Sequence, residues 1–206
     1  MRLIHALVLV ILVSGLVVGQ INLLKSSRPE IAGGWKSDLQ KLQPVPGAGA
    51  WTAFGSTEIR DIDSRPTFIT RYGGHFNQAV SISPSDVGKY VLLIGMGSAN
   101  RVFATNDITD HPYLYGYMET TGHIVAYLQG QQMLWESETK DEWKCLYGVF
   151  VIPPTTNQIR FFLNAAQRKG TDYDGSESRF EDPGLFIFDT SADAEQSAAK
   201  YCAGSK

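Results

Sequence analysis

Residues 159–188, IRFFLNAAQRKGTDYDGSESRFEDPGLFIF, decide how this chain is read. From Gln158 to Asn164 the apolar Ile159, Phe161 and Leu163 alternate with Gln158, Arg160, Phe162 and Asn164, the two-residue period of a strand with one face turned inward. A loop rich in Gly and Asp follows, and residues 184–188 form a second extended segment reached through Phe180-Glu181-Asp182.

Upstream of this pair, short β-rich segments recur between turn signals. Strands are expected at residues 51–62, 67–72, 77–82, 89–96, 113–119, 123–128 and 143–152, ahead of 158–164 and 184–188. Ser83-Pro84-Ser85-Asp86-Val87-Gly88, Thr120-Thr121-Gly122 and Pro153-Pro154-Thr155-Thr156 separate them by Pro, Gly and hydroxyl chemistry. About nine strands predict an all-β fold of two antiparallel sheets. The only strong helix signal begins at Thr190, a capping hydroxyl before good helix formers, so residues 190–206 are expected as a short C-terminal helix and tail. Residues 25–50 mix charge, Gly and Pro and read as a linker or stalk, with Pro-Val-Pro-Gly-Ala-Gly-Ala marking the start of the folded domain, residues 51–189.

The composition fits one core with appendages. Of 206 residues 43% are hydrophobic and 19% charged, and Tyr 9 with Phe 10 favours strands. A formal net charge of −3 with no Lys/Arg cluster excludes nucleic acid as a partner.

Residues 1–24 depart from this average. The segment 3–24, LIHALVLVILVSGLVVGQINLL, is directed to a membrane. Its first part has the length of a signal-peptide core, with a small-residue cleavage position before Gln20. Left uncleaved, it reaches across the roughly 30 Å of a bilayer core as an anchor. Both readings export the body of the chain to the periplasm, the cell surface or the medium. Cys145 and Cys202 are the only cysteines and form either one disulfide, which an oxidising compartment favours, or two separate buried thiols.

The order of segments resembles the carbohydrate-binding modules and galactose-binding-domain-like jelly rolls. Trp51-Thr52-Ala53-Phe54-Gly55-Ser56 is similar to the early Trp/Gly segment of those domains, and residues 90–97, YVLLIGMG, to a strand that follows a Pro/Asp/Gly turn. Residues 175–185, GSESRFEDPGL, resemble their closing strand, with Glu181 in place of an Asp. The resemblance covers most of residues 51–189 and implies a jelly-roll sandwich. Its implied functions are a non-catalytic carbohydrate-binding domain with a polysaccharide or glycan as partner, or a structural domain that contacts an envelope protein.

Candidate site residues follow from alternation. Tyr113, Tyr115 and Tyr117 share one face of a strand and make either a stacking platform for sugar rings or a row in the core. Arg160 and Asn164 project opposite Ile159, Phe161 and Leu163, and with Gln129 and Gln131 supply the donors and acceptors that sugar hydroxyls require. Asp172, Asp174, Glu181 and Asp182 gather four carboxylates around Gly175, which suits a structural calcium or a solvated turn; the family resemblance assigns Asp182 to the metal. The sequence holds no HExxH pair and no GxSxG elbow, so an enzyme is not expected.

Overall fold

The computed structural model describes residues 20–30, 34–102, 111–165 and 176–204. Within them, twelve strands pair antiparallel in two six-stranded sheets, followed by one helix, α1 (Ser191–Gly204). Across the first sheet lie β1 (Trp35–Ser37), β4 (Thr57–Ile62), β5 (Arg65–Thr70), β12 (Ser178–Phe188), β7 (Tyr90–Ala99) and β10 (Lys144–Val151). Across the second lie β2 (Gln43–Pro44), β3 (Thr52–Phe54), β6 (His75–Ser81), β11 (Gln158–Asn164), β8 (Tyr113–Thr120) and β9 (His123–Leu128). The all-β sandwich and terminal helix expected from the sequence are the fold observed.

Alternation sets which side chains fill the space between the sheets. From β11 come Ile159, Phe161 and Leu163, from β8 Leu114 and Met118, and from the first sheet Ile59, Phe68, Leu93, Leu146 and Phe180, all buried in one cluster. Trp51 is its centre, 5.0 Å from the Phe68 ring, which meets Phe76 at 5.1 Å. In β7 the alternate residues Leu92 and Ile94 are also buried, because α1 lays Ala194 and Ala198 on the outer face of the first sheet. A helix face of alanines allows this close approach. Thr190 caps the helix, its Oγ1 accepting from the Asp193 N–H at 3.1 Å. The last turn is tied to β10 by a disulfide between Cys145 and Cys202.

The structure departs from the expectations at three places. The predicted strand 51–62 is two strands in different sheets, divided at Gly55, whose φ of +69° and close approach to Gly74 exclude a side chain. The predicted strand 184–188 is the second half of β12, which starts at Ser178 and absorbs Pro183 in an irregularity between Glu181 and Gly184. The linker expected at residues 25–50 is instead part of the sandwich: β1 pairs with β4, β2 pairs with β3, and Val45 and Ala48 are buried. Burial there follows from packing into the core cluster that includes Trp51, which Pro and Gly composition does not report.

Residues at the end of the expected leader also lie against the sandwich. Leu23 N donates to Leu185 O at 2.9 Å, alongside the half of β12 that β5 does not pair, and Leu24 is buried. Among the described residues no helix is long and apolar enough to cross a membrane. Residues 1–19 lie outside them.

Candidate functional site

The outer face of the second sheet is where the alternate residues of its strands meet. Register places them in rows across the sheet: Phe54, His75, Asn164 and Tyr113 in one, then Thr52, Asn77, Phe162 and Tyr115, then Ala79, Arg160, Tyr117 and Tyr127, then Ser81, Gln158 and Glu119. Each row is a set of cross-strand neighbours. The tyrosines of β8 therefore face away from the core, which Leu114 and Met118 enter from the same strand. Tyr115 and Tyr117 are half-buried and Tyr127 is exposed, whereas Tyr113 is 8% exposed.

Five rings form a diagonal strip on this face. Phe54 stacks on His75 at 5.2 Å, His75 meets Phe162 edge-on at 5.3 Å, Phe162 lies 5.6 Å from Tyr115, and Tyr115 stacks with Tyr127 at 6.3 Å. Tyr117 closes against Phe162 at 5.3 Å. Burial among these rings lowers the His75 pKa to about 4, so the imidazole is neutral at pH 7. Burial likewise pushes Tyr113 and Tyr115 up to about 12, with the neighbouring tyrosines adding to the shift. The phenols stay protonated and keep an O–H to donate.

Beside the rings runs a polar strip centred on Arg160. Its guanidinium lies 6.0 Å from the Tyr117 ring centroid, faces Glu119 at 3.5 Å, and donates to Asn77 Oδ1 at 3.4 Å and Gln158 Oε1 at 3.3 Å. Thr52 Oγ1 donates to the same Asn77 oxygen at 3.0 Å. These contacts are long for the arginine, and the buried Asn77 Nδ2 has no hydrogen-bond partner. A polar face of this kind is organised and still under-used, with donors and acceptors left for a further molecule.

Of the sequence candidates, Tyr113, Tyr115, Tyr117, Arg160 and Asn164 fall together on this face. Gln131 instead donates to Glu136 at 2.7 Å, and Gln129 is exposed past the end of β9. Phe54, His75, Asn77 and Tyr127 were not singled out by sequence reasoning, because each is one residue on its own strand and only register brings it into these rows. The acidic candidates separate. Asp172 and Asp174 lie outside the described residues. Glu181 accepts from Thr67 Oγ1 at 2.9 Å and faces Arg65 at 3.4 Å, while Asp182 takes a two-pronged ion pair from Arg28. No group of three or more His, Cys, Asp or Glu able to hold a metal ion occurs among the described residues.

No protein-family model and no curated protein matches the chain in sequence. Solved structures of similar fold include the xylan-binding CBM22-1 domain of Paenibacillus barcinonensis Xyn10C, at 8% identity and a TM-score of 0.45 over 75% of this chain and 99% of that one. A cyclase from Fischerella sp. TAU is similar at 11% identity and a TM-score of 0.49, covering 82% of this chain and 98% of the cyclase. The enzymatically active domain of bacteriophage CBA120 tailspike protein 4 is similar at 12% identity and a TM-score of 0.37 over 75% of this chain, which spans only 19% of that protein. All three TM-scores are below 0.5, a likeness of fold alone.

Proposed function

We propose that the protein is an exported, non-catalytic carbohydrate-binding domain that receives a glycan along the outer face of its second sheet. The observation that carries this reading is the pairing of two parallel features there: the ring strip from Phe54 to Tyr127 and the polar strip from Thr52 through Arg160 to Glu119. Pyranose C–H faces stack on aromatic rings while their hydroxyls seek donors and acceptors in fixed positions, and this face offers both side by side. A strip of rings suits a chain laid flat.

Export is supported by the apolar leader and by the Cys145–Cys202 disulfide, which an oxidising compartment maintains. The hydrogen bonds of Asn22 and Leu23 to β12 favour cleavage near Gln20 over an anchor that runs to Leu24. A structural calcium is no part of this reading, since Arg65 and Arg28 already face Glu181 and Asp182.

Calorimetry against a panel of neutral and acidic polysaccharides tests the proposal. Saturable binding is expected for at least one of them, weakened by at least about tenfold in Tyr117→Ala and in Phe162→Ala proteins that keep their circular dichroism. Absence of binding across the panel would overturn it.

One observation favours contact with an envelope protein as a second reading. The edge strand β9 leaves Ile124, Val125 and Tyr127 exposed at 46%, 40% and 58%. That reading expects a protein recovered with the native chain from envelope extracts and released by Val125→Lys, with glycan affinity unaltered.

A further inference from the structure

The opposite sheet carries a cleft that shares no residue with this face. It has a volume of about 720 Å³ and opens on the outer side of the first sheet, between the β4–β5 hairpin, the start of β10 and the end of α1. Asp63, Arg65, Met96, Trp143, Lys144 and Glu181 line it, and the disulfide between Cys145 and Cys202 forms part of the wall. We propose that this cleft is a second carbohydrate site, which takes a single sugar residue or the end of a chain.

Its chemistry is that of a small-molecule pocket, apolar walls with a few fixed polar groups, and its volume lies in the corresponding range. Trp143 presents a half-buried ring, and Met96 with the disulfide supplies further apolar surface. Glu181 is 5% exposed. One of its oxygens is held by Thr67 at 2.9 Å, while among the described residues the other meets Arg65 at 3.4 Å, and the Arg65 side chain is 57% exposed. A buried carboxylate oxygen with one long contact is open to a hydroxyl donor.

The remaining groups narrow the ligand. Two acidic and two basic side chains line the cleft, so neither a cation nor an anion is selected by net charge. Lys144 keeps Nζ on the Glu136 carbonyl and 3.7 Å from Glu142, which leaves Arg65 as the donor able to turn inward. Asp63 sits in the β4–β5 hairpin turn, where it and Ser64 have φ of 52° and 65°. This two-residue turn is a rigid mount for a carboxylate at the rim. Acceptors from Asp63 and Glu181, a donor from Arg65 and an aromatic wall match an uncharged ring with several hydroxyls. The open cleft presents a single aromatic wall, Trp143, in contrast to the strip of rings on the second sheet.

The test is a titration of the full-length protein with methyl glycosides of glucose, galactose, xylose, mannose and N-acetylglucosamine. The Trp143 indole N–H resonance is followed and assigned by Trp143→Phe. Saturable movement with at least one glycoside is expected. Its midpoint should shift by at least about tenfold in Glu181→Gln, which keeps the Thr67 contact, and shift upward in the exposed variant Asp63→Asn. Phe162→Ala, on the other sheet, should leave it unchanged. No movement with any glycoside, movement untouched by both carboxylate variants, or movement lost in Phe162→Ala would each overturn the second site. Response at Trp143 without polysaccharide binding to the second sheet would overturn the glycan-binding role of that sheet and leave this site standing.

Discussion

Phe162 touches three other rings of the strip, His75, Tyr115 and Tyr117, so its removal opens the strip at its middle. Arg160 does the equivalent work for the polar strip, where Glu119 balances its charge. Among the described residues Arg160 and Glu119 offset each other on this face, and with His75 neutral its affinity for an uncharged glycan should stay level from about pH 6 to pH 9. His75 also links the face to stability. Its pKa is about 4 in the folded protein and 6.5 in the unfolded chain, so between these values the unfolded chain binds the extra proton. Stability is therefore full above pH 6.5 and falls as pH drops toward 4, by about 1–3 kcal/mol for this group after allowance for solvent. Urea unfolding of the protein and of His75→Phe across pH 4 to 7 measures this. The variant should lose most of that slope, and an unchanged slope would assign it to other groups.

At the level of elements, the segment 20–28 acts as a strand without being one. Asn22 is its clamp: Oδ1 accepts from Leu24 N at 3.1 Å and Leu185 N at 3.0 Å, and Nδ2 donates to Pro183 O at 3.1 Å. Farther along, Lys25 and Gln78 exchange two hydrogen bonds at 2.7 and 2.9 Å. Asn22 thus satisfies the backbone of β12 beyond its irregularity, where β5 no longer pairs, and the Lys25–Gln78 pair ties the segment to β6 in the other sheet. Asn22→Ala leaves these groups unpaired and should cost about 2–3 kcal/mol, lowering the Tm by roughly 5–10 °C. Calorimetric melting checks it. A Tm within a degree of the parent would show that the segment is not part of the cooperative fold.

For the whole molecule, the sandwich gives each sheet a separate outer surface. The first is partly covered by α1 and carries, besides the cleft, an ion-paired field around Glu177, where Arg60 and Arg71 approach at 2.7 and 2.5 Å. Among the described residues no helix covers the outer rings of the second. Much of this was legible in the sequence. The period in Gln158–Asn164 and Tyr113–Thr120 separates inward from outward residues before any pairing is known, and it alone puts Arg160 and Asn164 opposite the core. What the sequence withheld depends on partners far along the chain. His75 gains meaning only beside Phe162 and Phe54 only beside His75, and Val45 and Leu24 are buried only because they join the core cluster. Composition marked that stretch as a linker, since Pro and Gly speak for the local backbone and not for what lies across from it.

The central claim is that a glycan lies along the ring strip of the second sheet. A crystal structure of the protein with an oligosaccharide of the best-bound polysaccharide tests it most directly. Sugar rings are expected over Phe162, Tyr115 and Tyr117, with hydroxyls on Arg160 and Asn77. An oligosaccharide bound with that face bare would contradict it.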